Sequence, residues 1–178
     1  MNEPPAALRG AMVGFGNAAL HAHLPVWSRS PRFRIDAVVE PDPERAAIAR
    51  DRLPAAGLYP SLEAMLAAVE PDFVDICTPP CSHPGLVLAA LQAGAHVICE
   101  KPLATSTERL NEIRRSAERA GRVVFTVNNW KYAPLWLKAA ELVRDNRIGA
   151  VQRVCLDVLR CSSSGGGASG WRTCAELS

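Results

Sequence analysis

The chain has 178 residues, of which 48% are hydrophobic and 21% charged, and this mixture is typical of a folded globular protein rather than a disordered one. Its 20 basic and 18 acidic residues leave a net charge of +2, which gives no electrostatic basis for binding nucleic acid. The sequence has no apolar run near the roughly 20 residues that a membrane-spanning helix needs, so we expect no membrane partner.

Short apolar runs alternate with helical patterns along the chain. We predict strands over residues 8–13, 34–39, 58–59, 73–77, 96–99, 122–127 and 151–159. We predict helices from the first glycine turn to about residue 27 and over 44–53, 61–69, 84–93, 105–121 and 135–145. Near-continuous apolar strands that alternate with helices indicate a parallel sheet covered on both faces. The predicted fold class is therefore α/β, with a doubly wound parallel sheet.

Polar residues mark the ends of two of these helices. Ser61 is placed to cap the third helix, because a serine side chain accepts a hydrogen bond from the first free backbone N–H groups. Thr105 and Glu108 have the spacing of a capping box for the fifth helix, and Gly121 is expected to end it. The fifth helix is therefore the one whose limits the sequence marks best.

A glycine turn separates the first predicted strand from the first helix, with the sequence Gly14-x-Gly16-x-x-Ala19. Dinucleotide-binding proteins place their phosphate-binding turn here, because glycine lets the backbone approach the pyrophosphate and the helix N-terminus favours an anion. The residues expected to bind the cofactor are Gly14, Phe15, Gly16, Asn17 and Ala18. Glu40 follows at the end of the second strand, where an acidic residue can hold the ribose hydroxyls. This context predicts a Rossmann-like nucleotide-binding domain over residues 7–127.

The same acidic residue bears on which nucleotide binds. The carboxylate of Glu40 favours NAD, because it would repel the 2′-phosphate of NADP. Arg45 is near in sequence and could instead accept that phosphate. We therefore expect NAD as the preferred cofactor and keep NADP as the alternative.

The six cysteines are interpreted as reduced thiols rather than a disulfide framework. They show no paired C-x-x-C spacing, and the acidic, proline-containing N-terminus does not resemble a signal peptide. We therefore expect a cytoplasmic protein, since disulfides are rare in that compartment. Cys77, Cys81 and His83 form a conceivable zinc site, but a second ligand pair is missing and no metal is expected.

Three segments carry a resemblance to a known family. They are V-G-F-G at 13–16 with H-L-P at 23–25, D-I-C-T-P-P-C-S-H at 75–83 with A-A-L-Q-A-G-A-H-V at 89–97, and C-E-K-P-L-A at 99–104. With these motifs the chain resembles the Gfo/Idh/MocA oxidoreductases, the relatives of glucose–fructose oxidoreductase and inositol dehydrogenase. The match runs from about residue 8 to about residue 160 and covers the N-terminal half of a typical member.

The resemblance implies roles for individual residues. Thr78, Pro79 and His83 would line the cofactor cleft, and Glu100 would lie beside the cofactor. Lys101 would be the active-site lysine, whose cation can hydrogen-bond the reacting hydroxyl and stabilise developing negative charge.

Two further positions follow from the same family pattern. Residues 128–134 resemble the family segment Asn-x-Arg-Phe-x-Pro, so Asn129 and Lys131 would face nicotinamide or substrate. Pro102 is a candidate for a cis peptide bond, which is largely confined to proline.

Residues 128–178 are interpreted as the incomplete start of a second, α+β domain, which in the family binds substrate and forms the oligomer interface. Strand 151–159 would be its first strand, and Trp171-Arg172 resembles a pair that precedes the family's Asp-x-Gly-x-His segment. That segment usually supplies the acid/base histidine, and it is not in this sequence. We expect poorer packing from Leu135 onward and a mobile tail after Arg160, including the Ser/Gly stretch 162–169.

The function implied by the resemblance is hydride transfer between nicotinamide and a small sugar- or polyol-like substrate. A full-length relative would form a homo-oligomer. Two alternatives stay open. The first is an NAD-retaining lyase or glycosidase of the same fold, and the second is a catalytically incomplete nucleotide-binding module or pseudo-oxidoreductase.

Overall fold

A computed structural model describes residues 6–157 and residue 159. The chain divides into two compact units, with the boundary between Val127 and Asn128. The predicted tail after Arg160, its Ser/Gly stretch and the Trp171-Arg172 pair lie outside the described residues.

The first unit is built on six parallel strands. These are β1 (Leu8–Val13), β2 (Phe33–Val39), β3 (Gly57–Tyr59), β4 (Phe73–Ile76), β5 (His96–Cys99) and β6 (Val124–Thr126). Their order across the sheet is β3-β2-β1-β4-β5-β6, so the chain moves outward in one direction from β1 and then in the other from β4. This is the strand order of a Rossmann fold, and the predicted doubly wound parallel sheet is confirmed.

Helices connect the strands. The helical segments are a π-helical turn (Ala19–His23) that continues as α1 (Leu24–Trp27), then α2 (Pro43–Arg52), α3 (Leu62–Leu66), α4 (His83–Gln92), α5 (Thr107–Ala120) and α6 (Pro134–Arg144). Short 3₁₀ turns cover Pro80–Ser82 and Asn129–Tyr132. Within the described part of the chain, none of the helices has the length and apolar character needed to cross a bilayer.

The predicted helix caps are right at two ends and wrong at one. Ser61 caps α3 by accepting a hydrogen bond from the Ala64 N–H at 3.2 Å, and Gly121 ends α5 in the left-handed conformation. The capping box of Thr105 and Glu108 is wrong. Ser106 caps α5 instead and accepts a hydrogen bond from the backbone N–H of the residue three positions on, so the helix begins one residue later.

The core of the first unit lies on both faces of the sheet, because successive side chains of a strand point to opposite sides. Ala11 and Val13 of β1 join a buried cluster with residues of α3, α4 and α5. Met12, between them, joins a second cluster with residues of α1 and α2. Two covered faces explain why the strands are almost continuously apolar.

The second unit has no such core. Among its described residues, 128–157 and 159, no side chain is buried, so the expectation of poorer packing from Leu135 onward is confirmed there. The predicted strand 151–159 is wrong over its described residues, none of which is in a strand. An extended segment becomes a strand only by pairing with a neighbour, and hydrophobic alternation alone does not provide that neighbour.

Candidate functional site

The carboxyl ends of the four central strands lie at one edge of the sheet. Val13 pairs in register with Val39 on one side and Ile76 on the other, and Ile76 pairs with Cys99. The residues that follow these strands therefore meet at the same edge: Gly14, Glu40, Cys77 and Glu100. Ligands of doubly wound sheets bind at this edge, where the strand order reverses between β1 and β4.

The glycine turn is shaped by one position that only glycine suits. Gly14 has a φ of +83°, and a Cβ atom there would lie 2.9 Å from Thr78 Cγ2 and 3.0 Å from the Cys77 carbonyl oxygen. Its N–H donates a hydrogen bond to the Val39 carbonyl at 2.8 Å. Any larger residue would be strained and would push against the turn after β4.

Glu40 is held in place by the chain itself. The carboxylate is 7% exposed and accepts hydrogen bonds from the Phe15 N–H at 2.7 Å and from the Asp42 N–H at 3.0 Å. The Phe15 ring is buried in the core, so the turn and the carboxylate form one fixed structure. A carboxylate oxygen accepts more than one hydrogen bond, so Glu40 keeps acceptor capacity for a hydroxyl.

The outer half of the glycine turn is open. A Cβ atom on Gly16 would meet nothing within 4 Å, and helical structure begins at Asn17. The N–H groups of Asn17 and Ala18 belong to the first turn of that helix, where they have no partner within the helix. Open space at Gly16, beside N–H groups that lack a partner within the helix, fits an anionic group such as a pyrophosphate.

The turn after β4 carries three of the predicted residues. The Ser82 hydroxyl oxygen lies 2.7 Å from the Thr78 hydroxyl and 2.8 Å from the Pro79 carbonyl oxygen. The His83 ring is completely buried, with Nδ1 2.7 Å from the Pro102 carbonyl oxygen and Nε2 2.8 Å from the Thr78 carbonyl oxygen. His83 thus ties the turn after β4 to the segment after β5, and both of its nitrogens are already engaged.

The Glu-Lys-Pro segment follows β5 at the same edge. Glu100 has a side chain that is 20% exposed, and its Oε2 accepts a hydrogen bond from the Lys101 backbone N–H at 3.1 Å. Lys101 is exposed, and the peptide bond between it and Pro102 is cis, as predicted. The lysine cation is therefore presented to solvent between a carboxylate and an anchored proline.

A buried charged cluster lies behind this segment and was not predicted from the sequence. His23 places Nδ1 3.0 Å from both carboxylate oxygens of Asp75 and Nε2 3.2 Å from Glu100 Oε1. Asp75 is completely buried in β4 and also accepts a hydrogen bond from Trp27 Nε1–H at 2.7 Å. A carboxylate in the middle of an apolar strand requires a buried partner, and this was the available signal in the sequence.

The cluster controls the ionisation of nearby groups. Burial lowers the pKa of His23, but hydrogen bonds and charge from Asp75 and Glu100 more than offset it and raise the pKa to about 9. Burial, with smaller contributions from the same two carboxylates, raises the pKa of the Cys77 thiol far above its usual range and that of Cys99 to about 12. At neutral pH the cluster therefore holds an imidazolium between two carboxylates, beside two neutral thiols.

Three of these groups are also close enough to share a metal ion. Ligand atoms of His23, Asp75 and Cys77 lie within 4.8 Å of one another. A metal ion would have to displace the proton of the imidazolium and that of the thiol, because a histidine ligand is neutral and a cysteine ligand is a thiolate.

The remaining predicted residues belong to the second unit. Asn129 begins the 3₁₀ turn, and its side-chain oxygen accepts a hydrogen bond from the Trp130 backbone N–H at 3.0 Å. Lys131 is exposed, with Nζ 5.8 Å from the centre of the Tyr132 ring. Their roles toward a cofactor or substrate stay predictions.

Comparison with known proteins identifies the family. Residues 8–128 match the family described as "Oxidoreductase family, NAD-binding Rossmann fold", the Gfo/Idh/MocA family. The chain belongs to this family. The match covers the whole six-stranded sheet and the turns at the carboxyl ends of its four central strands.

Individual relatives extend this comparison. The chain is 34% identical over 141 residues to D-apiose dehydrogenase of Paraburkholderia graminis, covering 79% of this chain and 37% of that protein. It is 36% identical over 118 residues to D-xylose 1-dehydrogenase (NADP(+)) 2 of Haloferax volcanii, covering 66% of this chain and 36% of that one. The chain thus spans less than half the length of these relatives.

A solved structure shows the same architecture with nucleotide bound. It is the WlbA dehydrogenase of Chromobacterium violaceum in complex with NADH and UDP-GlcNAcA, with a TM-score of 0.77 and 29% identity. The superposition covers 81% of this chain and 41% of that protein.

Proposed function

We propose that this chain binds NAD at the carboxyl edge of its sheet and forms the nucleotide-binding part of an oxidoreductase. In the proposed reaction, a hydride passes between nicotinamide and a sugar- or polyol-like substrate. The observation that supports the proposal best is the pairing of an open glycine turn with a fixed carboxylate, Glu40, at the strand edge where dinucleotides bind.

The residues present fit a dinucleotide. The N–H groups of Gly16, Asn17 and Ala18 would hold the pyrophosphate, and Glu40 would accept hydrogen bonds from the ribose hydroxyls. Thr78 and Pro79 would border the cleft on the side of β4, with His83 holding the backbone of that turn. When bound, the nicotinamide supplies the hydride chemistry.

Lys101 is the proposed catalytic residue of this unit. Its exposed cation can donate a hydrogen bond to the substrate hydroxyl and stabilise the negative charge that develops on that oxygen. We also propose Asn129 as a cofactor contact and Lys131 as a substrate contact, on the basis of their match to the family segment.

The relatives support a carbohydrate-like substrate. The two similar dehydrogenases carry the names of D-apiose and D-xylose, which are both sugars. The name of one of these relatives specifies NADP(+), so the relatives do not decide between the two nucleotides. We propose a preference for NAD on the basis of Glu40 in this chain. The buried, doubly hydrogen-bonded carboxylate of Glu40 cannot swing away to admit a 2′-phosphate without breaking both hydrogen bonds.

Titration with NADH and NADPH, followed by nicotinamide fluorescence, tests the proposal. Gly16→Val should weaken NADH binding by about tenfold or more without unfolding the chain, because space at this position is open in the free protein. Ala22→Val, an exposed position in the same helix, is the matched control and should bind as the wild type does.

Glu40→Ala tests the choice of nucleotide. We expect it to weaken NADH and to narrow the gap between NADH and NADPH, whereas Glu44→Ala on the exposed start of α2 should change neither. Wild-type protein that binds neither nucleotide, or Gly16→Val protein that binds normally, would overturn the proposal. Reduction of NAD by a panel of sugars and polyols then tests the reaction.

A further inference from the structure

His23 links the buried carboxylate of Asp75 in β4 to Glu100 of the Glu-Lys-Pro segment through hydrogen bonds of its two ring nitrogens. Its two ring nitrogens face the carboxylates of Asp75 and Glu100. Carboxylates at neutral pH only accept hydrogen bonds, so both ring nitrogens must donate. The arrangement therefore requires the doubly protonated imidazolium.

The two carboxylates differ in how firmly they are held. Asp75 is completely buried, accepts a hydrogen bond from the Trp27 indole and lies 3.7 Å from the Cys77 sulfur. Glu100 is partly exposed, and its second oxygen accepts the Lys101 backbone N–H. Asp75 is thus held firmly in the interior, whereas Glu100 is the more exposed of the two carboxylates that bind His23.

Loss of the proton would affect these two ends unequally. A neutral imidazole has one N–H group, so it can donate to one carboxylate while its lone pair faces the other. Asp75 keeps its other partners and its burial, whereas Glu100 can turn toward solvent. The Glu100 carboxylate and the backbone at Lys101 would then lose their common anchor.

We infer that His23 is a positioning residue of the nucleotide cleft, whose imidazolium fixes the Glu100 carboxylate, and through it Lys101, for binding of the nicotinamide nucleotide. The inference rests on the proposed function. It assigns a role to a histidine whose side-chain hydrogen bonds go to Asp75 and Glu100. The role depends on the charge of the imidazolium as well as on its shape, so NADH affinity should depend on pH.

Within the cluster around His23, the imidazole is the group whose titration we expect at mildly alkaline pH. The groups that face His23 are Asp75 from β4, Glu100 after β5, and the thiols Cys77 and Cys99 at the same two strand ends. The thiols stay protonated because burial raises the pKa of each, to about 12 for Cys99. A pH effect with a midpoint near 9 would therefore report His23.

The test compares wild type, His23→Gln and His21→Gln over the range from about pH 6 to about pH 10. His21 lies in the same π-helical turn but is exposed, so it is the matched control. NADH affinity is measured by fluorescence, and the ring protons of each histidine are followed by NMR.

We expect the His23 ring to titrate near pH 9 and wild-type NADH affinity to fall about fivefold as pH rises through that value. His23→Gln should bind about fivefold more weakly at neutral pH, with no step near pH 9. His21→Gln should follow the wild type. Glu100→Gln removes one of the two carboxylates, so the NMR titration midpoint of His23 should move to lower pH. This measurement tests the contact between His23 and Glu100 even if His23→Gln does not fold.

Several results would overturn the inference. One is a folded His23→Gln protein with the affinity and pH profile of the wild type, and another is a His23 ring that titrates below its ordinary value of 6.5. A third is tight zinc binding by the wild type that His23→Gln abolishes. A histidine that binds zinc is a neutral imidazole, so it could not act as the imidazolium that the inference requires. If the wild type binds no NADH, the proposed function and this inference fall together, whereas failure of the variants alone removes only the inference.

Discussion

Helices α4 and α6 are both leucine-containing helices that carry a proline in their first turn, yet they differ completely in burial. Val87, Ala90 and Leu91 of α4 are buried against the sheet, and no residue of α6 is buried. Leu135 on α6 is 73% exposed, against 1% for Leu91 on α4. Helical pattern therefore marks which residues can form a core face, and a complementary surface decides whether they do.

A pair of identical substitutions tests this contrast most strongly. Leu91→Ala should reduce the free energy of unfolding by about 3 kcal/mol, because it removes a fully buried side chain and leaves a cavity. Leu135→Ala should change it by no more than about 0.5 kcal/mol. Urea unfolding followed by circular dichroism measures both, and equal losses would show that α6 is packed as firmly as α4.

The pH dependence of stability tests a second contrast between a buried and an exposed residue, His23 and His21 of the first unit. The pKa of His23 is about 9 in the folded chain, above its ordinary 6.5, so its contribution is complete below pH 6.5 and is lost as pH rises through about 9. We expect the wild type to lose up to about 3 kcal/mol across this window relative to His23→Gln.

Urea titrations at a series of pH values check this expectation. His21→Gln is the control, because the exposed neighbour should leave the loss intact. An equal alkaline loss in His23→Gln protein would assign it to another group.

The smallest expected effect concerns the start of α5. Ser106→Ala should cost about 1 kcal/mol, because the Ser106 side chain accepts a hydrogen bond from a free N–H of the first turn. Thr105→Ala, one residue earlier, should be close to neutral. Thermal unfolding of the two variants separates them, and a larger loss for Thr105→Ala would restore the capping box predicted from the sequence.

Most of the first unit could be predicted from local sequence. Strands such as 8–13 and 96–99 have the predicted limits, because each ends in a short apolar run that is followed by glycine or by a charged residue. The glycine turn and Glu40 could be placed at one edge because parallel strands in register bring their ends together. The misplaced cap shows the limit of local spacing, since Thr105 and Ser106 are chemically alike and backbone geometry selected the second.

The sequence by itself determined the parallel sheet, the glycine turn and the acidic residue after the second strand, because each depends on apolar and polar patterns in neighbouring segments of the chain. Only the tertiary structure decided the partners of His23. Asp75 lies 52 positions away and Glu100 lies 77 positions away, and pattern analysis of a single chain does not pair residues at such separations. The same reason explains why the strand predicted over 151–159 is wrong in its described residues. An extended segment is a strand only where another strand pairs with it through hydrogen bonds.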